Sequence, residues 1–321
     1  MNDNQIKGMK ISKMTLGTAQ LGVEYGIANK TGKPNLQSAY NILQLAVNEG
    51  INTFDTAPSY GDSEEIIGSF LASRYEVCMS GKSILIITKI PKVQCICDQS
   101  FQAIYDQVKT SIIRSLKRFN LEQIPICLLH NASDIIEYDG KVTRSLIKLK
   151  EDRLVKMIGV SVYQPEEVRE FLKIKEFDVI QIPINIFDHR LIKEGLLNKL
   201  TQRRIVIFAR SVFLQGLFFL EPDNLSQHLQ LAKEPLRLLR KLSSDLGMCI
   251  AELALTFVRD LPGITSVVLG IETLNQLKDN IRLFNSPPLY NEIKQRILGM
   301  FCYMPEEVIN PSLWNKRKFK E

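Results

Sequence analysis

The chain has 321 residues, 45% of them hydrophobic and 24% charged, with 41 Lys+Arg against 35 Asp+Glu and a net charge of +6. That balance suits a globular protein and excludes a disordered, collagen-like or disulfide-dense chain. The longest apolar runs, such as Ile84–Ile87 and Val212–Leu220, fall far short of the ~20 residues a membrane span needs.

In chain order, short apolar runs alternate with longer amphipathic ones. Met14–Gly17 predicts the first strand. Leu36–Glu49 predicts the first helix, with Ala39, Ile42, Leu43, Ala46 and Val47 at i, i+3, i+4 spacing. The pattern continues with strand Thr53–Ala57 and helix Ser63–Ala72, strand Ile84–Lys89 and helix Phe101–Phe119, strand Ile126–His130 and helix Thr143–Asp152. Strand Met157–Val162 precedes helix Pro165–Leu172, Val179–Pro183 precedes Ile192–Gln202, and Ile205–Ala209 precedes Glu234–Leu246. A helix over Ile250–Arg259, strand Ser266–Gly270 and helix Leu274–Phe284 complete the series. Most strand candidates are near-continuously apolar, as strands covered on both faces are. Eight strand–helix pairs predict an α/β chain folded as a closed (β/α)8 TIM barrel. No G-x-G-x-x-G follows the first strand, which argues against an open doubly wound sheet. No linker divides the chain. We expect one domain, with a core over about residues 12–286 and a C-terminal helical extension over 287–321.

Met1–Lys10 is polar and no apolar stretch follows, so a secretory leader is not expected. Six cysteines without a framework (Cys78, Cys95, Cys97, Cys127, Cys249, Cys302) fit free thiols and a cytoplasmic setting. Cys95-x-Cys97 lacks the further ligands a zinc site needs, so no metal is expected. The basic tail Lys316–Lys320 reads as a solvated terminus, and neither nucleic acid nor membrane is an expected partner.

In a barrel of this kind, reactive groups gather at the C-terminal strand ends. Three successive strand ends carry polar residues foreign to a buried run: Asp55 with Tyr60, Lys89, and His130. An ammonium beside a phenol favours the phenolate, and a carboxylate keeps that ammonium charged and oriented. A nearby histidine can fix a carbonyl oxygen by hydrogen bonding. The set makes a proton donor for an oxygen that gains negative charge, as in carbonyl reduction, with the hydride supplied by a cofactor. Taken singly, His130 reads as a core histidine and Lys89 as a lysine snorkelling to water. The joint order on one face argues for catalysis.

The segments FDTAPSYGDSEEIIG (54–68), TKI (88–90), LLH (128–130), GVSVY (159–163), QIPINIFD (181–188) and LGIETLNQLKDN (269–280) resemble the aldo-keto reductase superfamily. The resemblance spans most of the chain and implies a (β/α)8 barrel that reduces an aldehyde, ketone or sugar carbonyl with NAD(H) or NADP(H). It implies a catalytic tetrad of Asp55, Tyr60, Lys89 and His130, with Tyr60 as general acid. For the cofactor it implies Gly17 and Thr18 bordering the nicotinamide ribose, Ser161 and Gln181 at the carboxamide, and Asp55 also among the cofactor-binding residues. Val162 stands where members often have asparagine. Arg210, ahead of Ser211, takes the place of an aromatic ring that stacks on the nicotinamide; its planar guanidinium can stack there or contact a phosphate or acidic substrate.

By the same resemblance Leu214, Gln215 and Gly216 run along the pyrophosphate, and Gly270, Glu272, Thr273, Gln276 and Asn280 surround the adenosine. No lysine or arginine lies within 270–276, so strict NADP(H) selectivity is not expected. Phe213, Phe218 and Phe219 are candidates for the substrate pocket. The segments LGTAQLGVEYGIANKTGKP and FARSVFLQGL resemble bacterial members linked to surface-carbohydrate synthesis. A sugar or sugar-derived aldehyde is therefore the first candidate substrate, handled by a monomer or small homo-oligomer. The alternative is a cofactor-binding regulatory or interaction subunit with little turnover.

Overall fold

The computed structural model describes residues 4–6, 8–73, 83–94 and 100–314. Cys78, Cys95, Cys97 and the basic tail lie outside the described residues. Eight parallel strands close into a barrel: β1 Met14–Gly17, β2 Thr53–Asp55, β3 Leu85–Ile90, β4 Ile124–Leu129, β5 Val155–Ser161, β6 Val179–Pro183, β7 Val206–Arg210 and β8 Ser266–Gly270. Each pairs with its sequence neighbours, and β8 closes on β1 with Gly270 opposite Gly17.

The helices form where the apolar spacing places them. In Leu36–Asn48, Asn35 caps the N-terminus by accepting a hydrogen bond from the Ser38 amide, and Ala39, Ile42, Leu43, Ala46 and Val47 are buried. Each buried Ile or Leu contributes about 1.5–3 kcal/mol of apolar burial, so this face holds the helix to the barrel wall. Helix Phe101–Phe119 starts on a Ser100 cap and stops at Asn120, which is left-handed at φ 53°.

One predicted helix divides. Ile192–Gln202 is two pieces, Arg190–Lys193 and Leu196–Gln202, because Gly195 between them adopts φ +67°. An element absent from the sequence reading is a short antiparallel hairpin, Asn4–Ile6 with Met9–Ile11. Met9 and Ile11 join Leu85, Ile87, Ile126, Leu128, Val206 and Phe208 in the barrel's inner core. After the barrel, helix Asn291–Met300 and shorter turns pack back against it, with the Phe301 ring 4.9 Å from Phe187. Among the described residues no helix is long and apolar enough to cross a membrane, and no group of three His, Cys, Asp or Glu stands ready for a metal.

Candidate active site

Alternate side chains of each barrel strand point inward, so every strand contributes one inner row. The rows of β3, β4 and β7 begin with apolar residues of the inner core: Leu85 and Ile87, Ile126 and Leu128, Val206 and Phe208. Two residues further on each row reaches a polar side chain: Lys89, His130 and Arg210. By the same alternation β2 ends on Asp55 and β5 on Ser161, and Gln181, within β6, stands opposite Ser161 in the register. On β3, β4 and β7 the polar group sits on the top step of an apolar ladder, whereas the rows of β1, β2 and β8 carry the buried hydroxyls of Thr15, Thr53 and Ser266 lower down.

A cleft of about 530 Å³ opens over these ends. Lys89 lies behind its wall, only 1% exposed, and its Nζ donates to Asp55 Oδ1 at 2.8 Å and to the Thr56 carbonyl at 3.0 Å. The same Asp55 oxygen accepts from Gln181 Nε2 at 2.9 Å, and Gln181 Oε1 accepts from Ser161 Oγ at 3.2 Å. The ammonium stands 4.9 Å from the Tyr60 ring centroid. The Tyr60 ring meets His130 edge-on, 5.7 Å between centroids at 86°. His130 Nδ1 lies 3.3 Å from Ser59 Oγ.

Backbone contacts fix the turn that carries Tyr60. Gly61 adopts φ +57°, and a Cβ there would run into the Gly22 carbonyl oxygen. A Cβ at Gly22 would run into the Tyr60 carbonyl, so the two backbones touch only because both residues are glycine. Beneath the turn, Ser63 Oγ is 3.0 Å from Thr56 Oγ1 and 2.8 Å from Thr18 Oγ1, and Thr18 Oγ1 donates to the Asp55 carbonyl at 2.9 Å. This buried hydroxyl chain ties the ends of β1 and β2 together.

Charge in the site follows from burial. Burial raises the Tyr60 phenol above its ordinary value of about 10; Lys89 pulls the other way and Asp55 adds to the rise. The lowering expected from the ammonium is present but outweighed, and Tyr60 keeps its proton at neutral pH. Burial opposes the Lys89 charge, yet Asp55 and Tyr60 together more than compensate and hold the ammonium above its usual range. Burial, then Lys89 and Arg210, push His130 down to about 3, so it is a neutral imidazole at pH 7.

Of the other anticipated residues, Gly17, Thr18, Ser161, Gln181, Arg210, Ser211, Gln215, Gly216, Gly270, Glu272, Gln276 and Asn280 line the cleft with Asp55, Tyr60 and His130. Leu214 does not: it is fully buried in the core, because φ +48° turns it away beneath the loop. Thr273 is spent on structure, its hydroxyl accepting from the Gln276 amide as the cap of helix Leu274–Phe284. Phe213 and Phe219 reach the cleft, whereas Phe218 is buried with its ring 4.8 Å from Phe187.

The sequence reading missed Tyr25, Tyr163 and Arg282, all on the cleft wall. Tyr25 comes from the loop after β1, where its hydroxyl accepts from Gln215 Nε2 at 2.9 Å. The Arg210 guanidinium lies 4.1 Å over the Tyr163 ring. A tyrosine two residues past the β5 end was the available signal for the second of these.

Comparisons with known proteins point to one family. The family model described as the aldo/keto reductase family matches residues 13–297. An uncharacterized oxidoreductase of Bacillus subtilis, YqkF, is 26% identical over 297 residues, covering 87% of this chain and 93% of the relative. The L-glyceraldehyde 3-phosphate reductase of Escherichia coli K12 is 24% identical, covering 87% of this chain and 86% of its own length. Among solved structures, the holo form of aldo-keto reductase AKR11C1 from Bacillus halodurans shares the fold at a TM-score of 0.73. It is 21% identical and covers 98% of this chain and 99% of the other. The chain belongs to the aldo/keto reductase family and is a carbonyl-reducing oxidoreductase.

Proposed function

We propose that the cleft binds a nicotinamide dinucleotide and that the protein reduces the carbonyl of a small aldehyde, ketone or sugar, with Tyr60 as the proton donor. The observation that carries this reading is the contact of a proton-bearing phenol with a buried, carboxylate-held ammonium and a neutral imidazole. The donor set fits such a cofactor. Ser161, Gln181 and Asn280 offer paired donors and acceptors, and the non-helical turn at Gln215 and Gly216 (φ 52° and 92°) lets the β7 loop border the same cleft. The cofactor, when bound, supplies the hydride that no side chain can.

The chain's own residues do the rest. Tyr60 Oη and the His130 imidazole hold the carbonyl oxygen, polarising the bond. As negative charge develops on that oxygen, Tyr60 releases its proton to it, and the nearby Lys89 ammonium stabilises the phenolate left behind. Asp55 keeps the ammonium in place, and Gln181 orients Asp55. One hydride and one proton across the double bond give the alcohol. The apolar rings of Phe213 and Phe219 border one side of the pocket.

Cofactor choice follows from Glu272. Gln276 accepts from the Glu272 amide at 2.8 Å and donates to its carboxylate at 3.1 Å, which holds that carboxylate on the cleft wall. A 2′-phosphate there meets repulsion, whereas a free 2′-hydroxyl finds an acceptor. Arg282 lies on the same wall but faces Asp279, 3.9 Å away. We therefore assign weak discrimination or a preference for NAD(H). The activity test is NADH and NADPH oxidation with a panel of small aldehydes, ketones and aldoses. Turnover with at least one class supports the reading, and absence of any cofactor binding refutes it.

A further inference from the structure

Arg210 carries a positive charge that the reaction chemistry does not call for. Its Nη2 donates to the Val162 carbonyl at 2.7 Å and its Nη1 to Ser211 Oγ at 3.0 Å. One face of the guanidinium lies on the Tyr163 ring, 4.1 Å from its centroid. Nε is sealed from solvent without a partner, so the side-on Nε edge is closed to an anion. Among the described residues, no carboxylate lies within ion-pair distance of it. The guanidinium is thus immobilised by neutral groups and keeps its full charge.

The charges around it do not cancel this one. Lys89 is paired with Asp55, His130 is neutral, and Tyr60 holds its proton. Arg210 acts electrostatically on both Tyr60 and His130, so its field reaches the reacting carbonyl. A hydride passes only at contact distance, about 3–3.5 Å between reacting atoms. A ring that gives a hydride to a carbonyl held by Tyr60 and His130 must therefore lie in the same field.

We propose that Arg210 selects the oxidation state of the bound nicotinamide, disfavouring the cationic oxidised ring and leaving the neutral reduced ring unaffected. The inference rests on the nicotinamide reading of the cleft. Its consequence is directional: the protein is loaded by reduced cofactor even where the oxidised form is abundant, and it sheds the oxidised product readily. For illustration, a unit charge at about 6 Å, with an effective dielectric of about 20 to 80, changes affinity by roughly 3- to 100-fold.

The test is a set of dissociation constants for NAD+ and NADH, measured by calorimetry on wild type, Arg210→Met and Arg210→Lys, with thermal unfolding to show that each variant is folded. The expected result is a Kd ratio, oxidised over reduced, that falls roughly tenfold in Arg210→Met and is largely retained in Arg210→Lys. A merely structural role through Tyr163 and Val162 shifts both oxidation states alike in both variants. That outcome overturns the proposal, as does an unchanged ratio in Arg210→Met. Competition of inorganic phosphate with substrate that is lost in Arg210→Met, at an unchanged Kd ratio, also overturns it and assigns the guanidinium to a substrate anion. If wild type binds neither form, the nicotinamide reading itself fails.

Discussion

Replacing Lys89 by Met tests the buried pair on which the site is built. The Lys89 side chain is 1% exposed and that of Asp55 7%, with 2.8 Å between Nζ and Oδ1. Methionine nearly fills the same volume, so the cavity term is small and the loss is electrostatic. Removing one partner of a buried pair costs about 3–5 kcal/mol, because the other charge is left without compensation. Here Gln181 still donates to the same oxygen at 2.9 Å, which offsets part of that loss. We expect about 3 kcal/mol, or a fall of roughly 4–5 °C in Tm. Adding Asp55→Asn to Lys89→Met removes the orphaned charge. The double variant is then more stable than Lys89→Met alone, with a coupling energy of about 2 kcal/mol. Urea unfolding of wild type, both single variants and the double variant at pH 7 supplies the cycle. A cost below about 1 kcal/mol for Lys89→Met would mean a solvated pair. Additive single variants would mean that no pair couples at all. Either result refutes the reasoning.

Three further outcomes follow from the same geometry. His130 titrates near 3 when folded and near 6.5 when unfolded, so the unfolded chain binds more protons between these values and stability is lost as pH falls through that window. His130→Asn should flatten the wild-type decline between pH 6 and 4 by about 1–2 kcal/mol in urea unfolding. Asp134 has the opposite sign. It is fully buried with neither carboxylate oxygen hydrogen-bonded, and burial, reinforced by Glu137 against Lys92, raises it to about 7. The folded state then holds the extra proton, and stability is lost as pH rises from about 4 through 7, so Asp134→Asn should gain about 1–3 kcal/mol at pH 8 and nothing at pH 4. For the cofactor, the Kd for NADH should equal or fall below that for NADPH at low salt, whereas a preference for NADPH of about 100-fold, roughly 2.7 kcal/mol, would show that Glu272 does not oppose the phosphate.

Much of the barrel was legible because an inner row of a parallel strand leaves a pattern. Val179–Pro183 and Ser266–Gly270 coincide with their predicted bounds, as do helices Phe101–Phe119, Ile250–Arg259 and Leu274–Phe284. The polar strand ends stood out for the same reason: Lys89 and His130 each follow two inward apolar residues at a period of two. The loops were less legible, since periodicity says nothing about where a loop side chain points. Ser211, Leu214 and Gln215 all adopt positive φ without being glycine, which no composition rule anticipates. That backbone buries Leu214, and in the same loop Phe213 and Phe219 reach the cleft while Phe218 does not. Tyr25 and Arg282 reach the cleft from a loop and a helix whose sequences carry no catalytic motif. The N-terminal hairpin was hidden because Met9 and Ile11 form too short a run to register as a strand.

The account's central claim is that Tyr60 gives the proton to the substrate oxygen in a cleft that binds the cofactor independently of that proton. The most direct measurement is single-turnover oxidation of bound reduced cofactor by a carbonyl substrate in Tyr60→Phe, alongside cofactor titration of the same variant. Phenylalanine keeps the ring against His130 and removes only the hydroxyl. The account predicts a loss on the order of 10²–10⁴ in rate with cofactor affinity nearly unchanged. A rate close to wild type would contradict it and take Tyr60 out of the chemistry.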